Sequence, residues 1–408
     1  MITTTVFYLT VVEIIVQQIS YTSASNAPVI LPEDATLTTI ELANKYGHPA
    51  TRYDVTTEDG YVLGIYRLPG KGRIPVLLMH GLQDSSDSWL LRGQNSLAIT
   101  LANNGCDVWL GNSRGNRYSR LHKHLNPDTD PAFWQFSFHE MGYYDLPAII
   151  DTILNETGAD NLTAIGHSQG TTMFFVLGSE KKEYNSKVNV LVALAPMAFV
   201  HNAPAPASIL IQLSPLLSQL DREDGSSEVF GDNSTASTLI HTFCTTPITG
   251  YLGCVYGIIF PLLGYDPAEL DPNFFFVAAA HYPSGGSYLS ILHYLQVGYR
   301  KAFAPYHYGS DVNMKVYNSS DPPEYQLDQV TMRVALLSAR NDRLSSIPDV
   351  LHLRRQLPNV VYYLENPRPL MNHVNYVWGL NMQDYLFPYI YSVLQNNHHN
   401  LTNMTTQL

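Results

Sequence analysis

Gly166-His167-Ser168-Gln169-Gly170 lies between a short apolar strand, Leu162 to Ile165, and an apolar stretch of helical character, Thr171 to Gly178. A strand that turns at once into a helix brings the backbones beside the turn close together. Glycine two residues before and two after the serine is what such a strained corner requires. This setting demands a buried strand feeding a helix, and so an α/β sheet. A second segment, Gly111-Asn112-Ser113-Arg114-Gly115, has the same spacing and follows the strand Asp107 to Leu110. It runs on into Asn116-Arg117-Tyr118-Ser119-Arg120 and Asn126-Pro127, a polar loop with no helix to orient a serine. Ser168 is therefore the candidate nucleophile, and Ser113 a loop residue.

The rest of the chain supports that sheet. Thr51 to Thr57 and Tyr61 to Arg67 read as an antiparallel hairpin turning at Glu58-Asp59-Gly60. Pro75 to Met79 is a continuous apolar run, which suits a strand buried on both faces, Asp107 to Leu110 reads as another buried strand, and Val188 to Ala195 as the strand after the elbow helix. Helices are predicted over Leu97 to Asn103 and Asp145 to Leu154. From about Phe199 to about Asp328 the alternation stops, and apolar helical pieces appear at Ile209 to Leu220, Tyr251 to Leu263 and Tyr288 to Val297. Alternation returns with strands Arg333 to Ser338 and Val360 to Leu364, and helices Pro348 to Gln356 and Asn381 to Leu394. The expected organisation is an α/β core of residues 36–198 and 329–397, a mostly helical insertion at 199–328, and a polar tail at 398–408.

Composition excludes several classes. With 45% hydrophobic and 14% charged residues the chain is globular. A net charge of −12 without basic clusters argues against nucleic acid. The stretch Val6 to Val16 is too short and too interrupted by Glu13 to span a bilayer, so no transmembrane anchor is expected. It reads as the core of a signal peptide over residues 1–24, a frayed helix being the competing reading. Sequons at Asn155, Asn161, Asn233, Asn318, Asn400 and Asn403 fit secretion. Cys244 and Cys254 flank a turn-rich segment and suit a disulfide, with free thiols as the alternative. Cys106 reads as a small core residue.

A serine hydroxyl needs a base held in one tautomer by an acid, and on this architecture the order is serine, acid, histidine, each just past a strand end. Asp342 follows the strand ending at Ser338, and His373 lies on the loop after Leu364. Asp349 competes as the acid, but beside Pro348 it suits the first turn of a helix. His281, His293 and His307 fall in the insertion as surface or packing residues. The backbone N–H groups of Leu82 and Gln169 are the candidate oxyanion donors, with Gly81 allowing close approach and His80 bracing the loop. Metal-ligand spacing, phosphate loops and dinucleotide fingerprints are lacking, so the chemistry reads as cofactor-free.

His80-Gly81-Leu82, Asp107 to Asn116, Phe136 to Met141 and Gly166 to Thr172 together resemble the acid lipase family, which holds the gastric and lysosomal acid lipases of animals. Thr57 to Tyr61 and Tyr282 to Ser287 extend the likeness, which covers about Thr38 to about Val393. The resemblance implies an α/β-hydrolase fold whose insertion is a cap with a movable lid. It implies hydrolysis of triacylglycerols or cholesteryl esters through an acyl-enzyme, in the secretory or lysosomal lumen or outside the cell, during transient contact with lipid surfaces. It carries over Ser168, Asp342 and His373 as the triad, Leu82 and Gln169 as oxyanion donors, and a Cys244–Cys254 disulfide. Asn375 and Ser346 stand where the family usually has acids, so an acidic working pH does not follow. Alternatives are an esterase for smaller soluble esters, an acyltransferase, or a non-catalytic lipid-binding protein. Apolar residues of the insertion, Ile209, Leu210, Leu213, Leu216 and Leu217 with Val255, Tyr256, Ile258, Ile259, Phe260 and Leu262, either line a lipid crevice or form the insertion's own core.

Overall fold

A computed structural model describes residues 31–71, 74–224, 227–231, 235–246 and 248–397. The expected leader at 1–24, the tail at 398–408 and the sequons Asn233, Asn400 and Asn403 lie outside them. Strands run in chain order as β1 (Thr51–Thr56), β2 (Tyr61–Leu68), β3 (Pro75–Met79), β4 (Asp107–Gly111), β5 (Leu121–His122), β6 (Leu162–His167), β7 (Val188–Leu194), β8 (Glu228–Val229), β9 (Gly286–Ser287), β10 (Arg333–Ser338) and β11 (Val360–Glu365). The main sheet has the order β1-β2-β4-β3-β6-β7-β10-β11, with β5 added to β2. Pairing is antiparallel around β2 and parallel from β4 to β11.

The continuous apolar runs have a direct cause. Along β3, Val76 and Leu78 enter one buried cluster while Leu77 and Met79 enter the other. The same alternation divides Val190, Val192 and Leu194 from Leu191 and Ala193 on β7. Helices Leu97–Asn103 and Phe387–Asn397 cover the first face, and helices Leu146–Thr157, Gln169–Glu180 and Ile347–Gln356 cover the second. A strand clad on both sides has no solvent face to keep polar.

The chain visits β4 on one side of β3 and then crosses to β6 on the other. That reversal opens a crevice beyond the carboxyl ends of β3 and β6, where ligands bind in open α/β sheets. Between β7 and β10 the described chain is mostly helical: Ala207–Gln212, Ser214–Asp224, Thr235–Cys244, Tyr251–Ile259 with Phe260–Leu263, Pro272–His281, Tyr288–Arg300 and Ser310–Val316. The two-stranded ribbon β8–β9 is the exception. A Cys244–Cys254 disulfide closes one turn, and Cys106 is buried and free. Among the described residues no helix is long and apolar enough to cross a membrane.

Two single helices expected from periodicity are each broken in two. Ile209 to Leu220 divides at Leu213, just before Ser214-Pro215, and Asn381 to Leu394 divides into Met382–Tyr385 and Phe387–Asn397. The cause is the same in both. Pro215 and Pro388 each sit at the second residue of the following helix, where a missing N–H is harmless. Further inside a longer helix either ring would break the ladder and clash with the preceding turn. Helices Pro272–His281 and Ser310–Val316 were not singled out from the sequence.

The mostly helical stretch between β7 and β10 is tied to the rest of the chain at several buried points. His281 directs Nδ1 at Asp87 Oδ2 (2.8 Å) and Nε2 at the Asp34 carbonyl (2.7 Å). His293 stacks on Phe138 and bridges Ser137 to the Ala304 carbonyl. Tyr294 shares a 2.7 Å hydroxyl contact with Thr172. Of the apolar candidates in the insertion, Val255 and Phe260 are buried core, while Ile209, Leu213, Leu216, Tyr256 and Ile258 are exposed.

Candidate active site

Ser168 ends β6 and opens helix Gln169–Glu180 with φ 52° and ψ −117°, a left-handed conformation that an L-residue adopts only under constraint. The flanking glycines explain how it is tolerated. A Cβ on Gly166 would lie 2.8 Å from the Gly170 backbone, and one on Gly170 would collide with the carbonyl oxygen of Met79. The first G-x-S-x-G uses its glycines differently. A Cβ on Gly111 would strike Met79, and Gly115 packs against Phe136. Arg114 there is buried between Asp59 and Asp145, and Ser113 hydrogen-bonds His80.

Three distant segments meet at Ser168. Its hydroxyl donates to His373 Nε2 at 2.8 Å. His373 Nδ1 donates to Asp342 at 2.9 and 3.0 Å. A carboxylate only accepts, so the proton belongs on Nδ1 and Nε2 is free to receive one. Asp342 Oδ1 also accepts the backbone N–H groups of Leu344 (2.9 Å) and Ser345 (2.8 Å), which hold the side chain in place. Ser168, His373 and Asp342 are each nearly buried. Asp349, the competing acid, caps its own helix with Ser346 and receives Asn202.

Registry of β3 against β6 pairs Met79 with Gly166, so the loop His80-Gly81-Leu82 lies beside the serine. A Cβ on Gly81 would approach His167 Nδ1 to 3.1 Å and Ser168 Cβ to 3.4 Å. Gln169 heads its helix, so its N–H has no partner within the helix. Leu82 and Gln169 line one small cavity with Met141, Gly286 and Ser290. His80 donates from Nδ1 to the Gly81 carbonyl and accepts the Ser113 N–H at Nε2. Burial pushes His80 down to about 4, so it remains neutral and keeps that pairing.

Sequence reasoning missed two supporting residues. His167 donates from Nε2 to the His373 carbonyl at 2.9 Å, and burial with the neighbouring His373 ring pushes it down to about 3. Asp84, just past the His80-Gly81-Leu82 loop, accepts Ser85 N–H and Ser88 Oγ. Burial pushes its carboxyl up to about 7. The folded protein thus keeps a proton that the unfolded chain releases near 4, so this group's stabilising contribution is lost as pH rises through about 7. Asp84→Asn is expected to be relatively more stable than wild type at about pH 8 than at about pH 5. Thermal melts at both values check this, and a pH-independent difference refutes it.

A family model for the alpha/beta hydrolase fold matches residues 74–367, and one for a partial alpha/beta-hydrolase lipase region matches residues 39–93. Lipase 1 of Drosophila melanogaster is 38% identical over 369 residues, covering 89% of this chain and 81% of that one. Gastric triacylglycerol lipase of Rattus norvegicus is 35% identical, covering 85% and 89%. Lysosomal acid lipase/cholesteryl ester hydrolase of the same species is 34% identical, covering 89% and 92%. Among solved structures, a candidate lipase of Acinetobacter baumannii superposes with a TM-score of 0.51 over 92% of this chain and all of that one. At 14% identity that likeness is one of fold. With family models matching residues 39–93 and 74–367, and lipase relatives 34–38% identical over 81–92% of their own length, the chain belongs to the acid lipase family of the α/β-hydrolase fold.

Proposed function

We propose that the protein is a serine lipase that hydrolyses carboxylic esters of neutral lipids, triacylglycerols or cholesteryl esters, through an acyl-enzyme. The observation that carries this reading is the unbroken hydrogen-bond chain Ser168–His373–Asp342 at a strained elbow. Ser168 Oγ attacks the ester carbonyl while His373 Nε2 takes its proton, and Asp342 steadies the imidazolium that forms. The N–H groups of Leu82 and Gln169 receive the charge developing on the carbonyl oxygen. His373 then returns its proton to the departing alcohol. Water, activated by the same base, frees the fatty acid. No cofactor enters this sequence.

The insertion, residues 199–328, acts in this reading as a lid-bearing cap over a core of residues 36–198 and 329–397. Exposed Ile209, Leu213 and Leu216 on one piece and Leu252, Tyr256 and Ile258 on another support contact with a lipid–water interface. A secretory or lysosomal location is supported by the Cys244–Cys254 disulfide and by exposed sequon residues Asn155 and Asn318. Asn161 is half-buried at the start of β6 and is the weaker acceptor.

Initial rates of the purified full chain on emulsified long-chain triacylglycerol, cholesteryl oleate and a soluble short-chain ester test the substrate class. The expected result is turnover of an emulsified lipid at a rate matching or exceeding that on the soluble ester. Turnover of the soluble ester alone makes the protein an esterase. Transfer to an added alcohol in preference to water makes it an acyltransferase. Absence of turnover, with no labelling by a serine-directed phosphonate, leaves a lipid-binding protein.

A further inference from the structure

The acid and the base stand on separate loops after β10 and β11, and a single piece of the insertion threads between them. Leu263 accepts the backbone N–H of His373 at 3.1 Å. The next carbonyl, Gly264, accepts Asn372 Nδ2 at 2.7 Å. The next, Tyr265, accepts Asn341 Nδ2 at 2.9 Å, and that same amide also reaches the Leu370 carbonyl at 2.7 Å. Asn341 immediately precedes Asp342, and Asn372 immediately precedes His373. Three consecutive carbonyls thus hold both catalytic loops.

The fit has no slack. Gly264 is buried at φ 113°, and a Cβ there would collide with the Asn341 carbonyl oxygen and approach Asn372 Cβ to 2.8 Å. Two residues further on, Asp266 pairs with Arg368 of the histidine loop at 3.0 Å. Glu269 then receives Asn381 N–H, Asn381 Nδ2 and Tyr385 OH, which pins the piece to the core. Asn372 Oδ1 in turn accepts Val374 and Asn375 N–H and shapes the loop directly around the histidine.

We propose that residues 263–266 form a splint that sets the spacing of Asp342 and His373, with Gly264, Asn341 and Asn372 as positioning residues. The cap is then part of the catalytic frame as well as a cover. The proposal rests on the reading of Ser168, His373 and Asp342 as a triad. A buried triad of this kind tolerates little movement, because a displacement of about 1 Å costs about a hundredfold in rate.

The test is Asn341→Ala, which removes both amide hydrogen bonds and adds no bulk, alongside Gly264→Ala, which wedges the loops apart. Both variants of the full chain are compared with wild type by thermal melting, by kcat and KM on a soluble ester, by the rate of phosphonate labelling, and by the pH–rate profile. Expected is a folded Asn341→Ala protein with KM within about twofold of wild type. Its kcat and labelling rate should fall together by about thirty- to a hundredfold, and its acid limb should shift because the imidazole has lost its alignment with Asp342. Asn341→Asp keeps an oxygen acceptor but no donor and should not rescue activity. A folded Asn341→Ala with wild-type kcat and labelling rate overturns the splint. If Gly264→Ala does not fold, Asn341→Ala decides alone. A wild-type protein that neither turns over esters nor takes the label overturns the triad reading, and the splint with it.

Discussion

Ser168→Ala is expected to abolish ester hydrolysis, with kcat falling by about 10⁴- to 10⁶-fold, while the protein remains folded. The residue is small and nearly buried, and its hydroxyl gives one hydrogen bond, to His373 Nε2. Alanine deletes the attacking oxygen without leaving a cavity of consequence. Left-handed backbone at φ 52° is no harder for alanine than for serine, so the elbow keeps its shape. Circular dichroism and melting temperature should match wild type to within a few degrees. The variant should also resist a serine-directed phosphonate. Retained turnover in a folded variant would mean that the reaction is carried elsewhere in the molecule.

Asp342→Asn is expected to cost about 10⁴ in kcat, for a different reason. Asparagine keeps the shape of the acid and can still accept from Leu344 and Ser345 through its oxygen. Its amide nitrogen, however, would donate toward His373 Nδ1. That contact favours the tautomer with the proton on Nε2, the atom that must receive the Ser168 proton. Binding should be spared, so KM changes little while kcat collapses. Because the base would be blocked without being removed, activity should recover partly at high pH, where a stronger base can substitute. A variant with wild-type kcat at neutral pH would remove Asp342 from the mechanism and point back to another acid.

Much of this was legible in the chain because the residues concerned answer to local rules. Glycine at 166 and 170 is required by backbone approach within a few residues, and a run such as Pro75 to Met79 can only be clad on both faces. Asp342 and His373 were findable because the sheet places functional loops at strand ends, and both stand just past one. What escaped notice depends on partners far along the sequence. Nothing near Asn341 or Gly264 announces that they meet, since their contact is created by packing between an insertion and two loops. The broken helices at Pro215 and Pro388 are a different failure. The signal was present, but apolar periodicity on both sides of each proline outweighed it. Asp271-Pro272, an N-cap followed by a first-turn proline, similarly marked helix Pro272–His281, and its hydrogen bond to Phe274 N–H is formed.

The hydrogen bond from Ser168 to His373 joins residues 205 positions apart. During synthesis the serine therefore emerges long before the imidazole that would activate it. Until the final strand and the loop after it have docked, the hydroxyl is an ordinary alcohol. If these residues form the proposed triad, a nascent chain that has not yet placed His373 carries no ester-hydrolysing power, and activity switches on only as that loop docks.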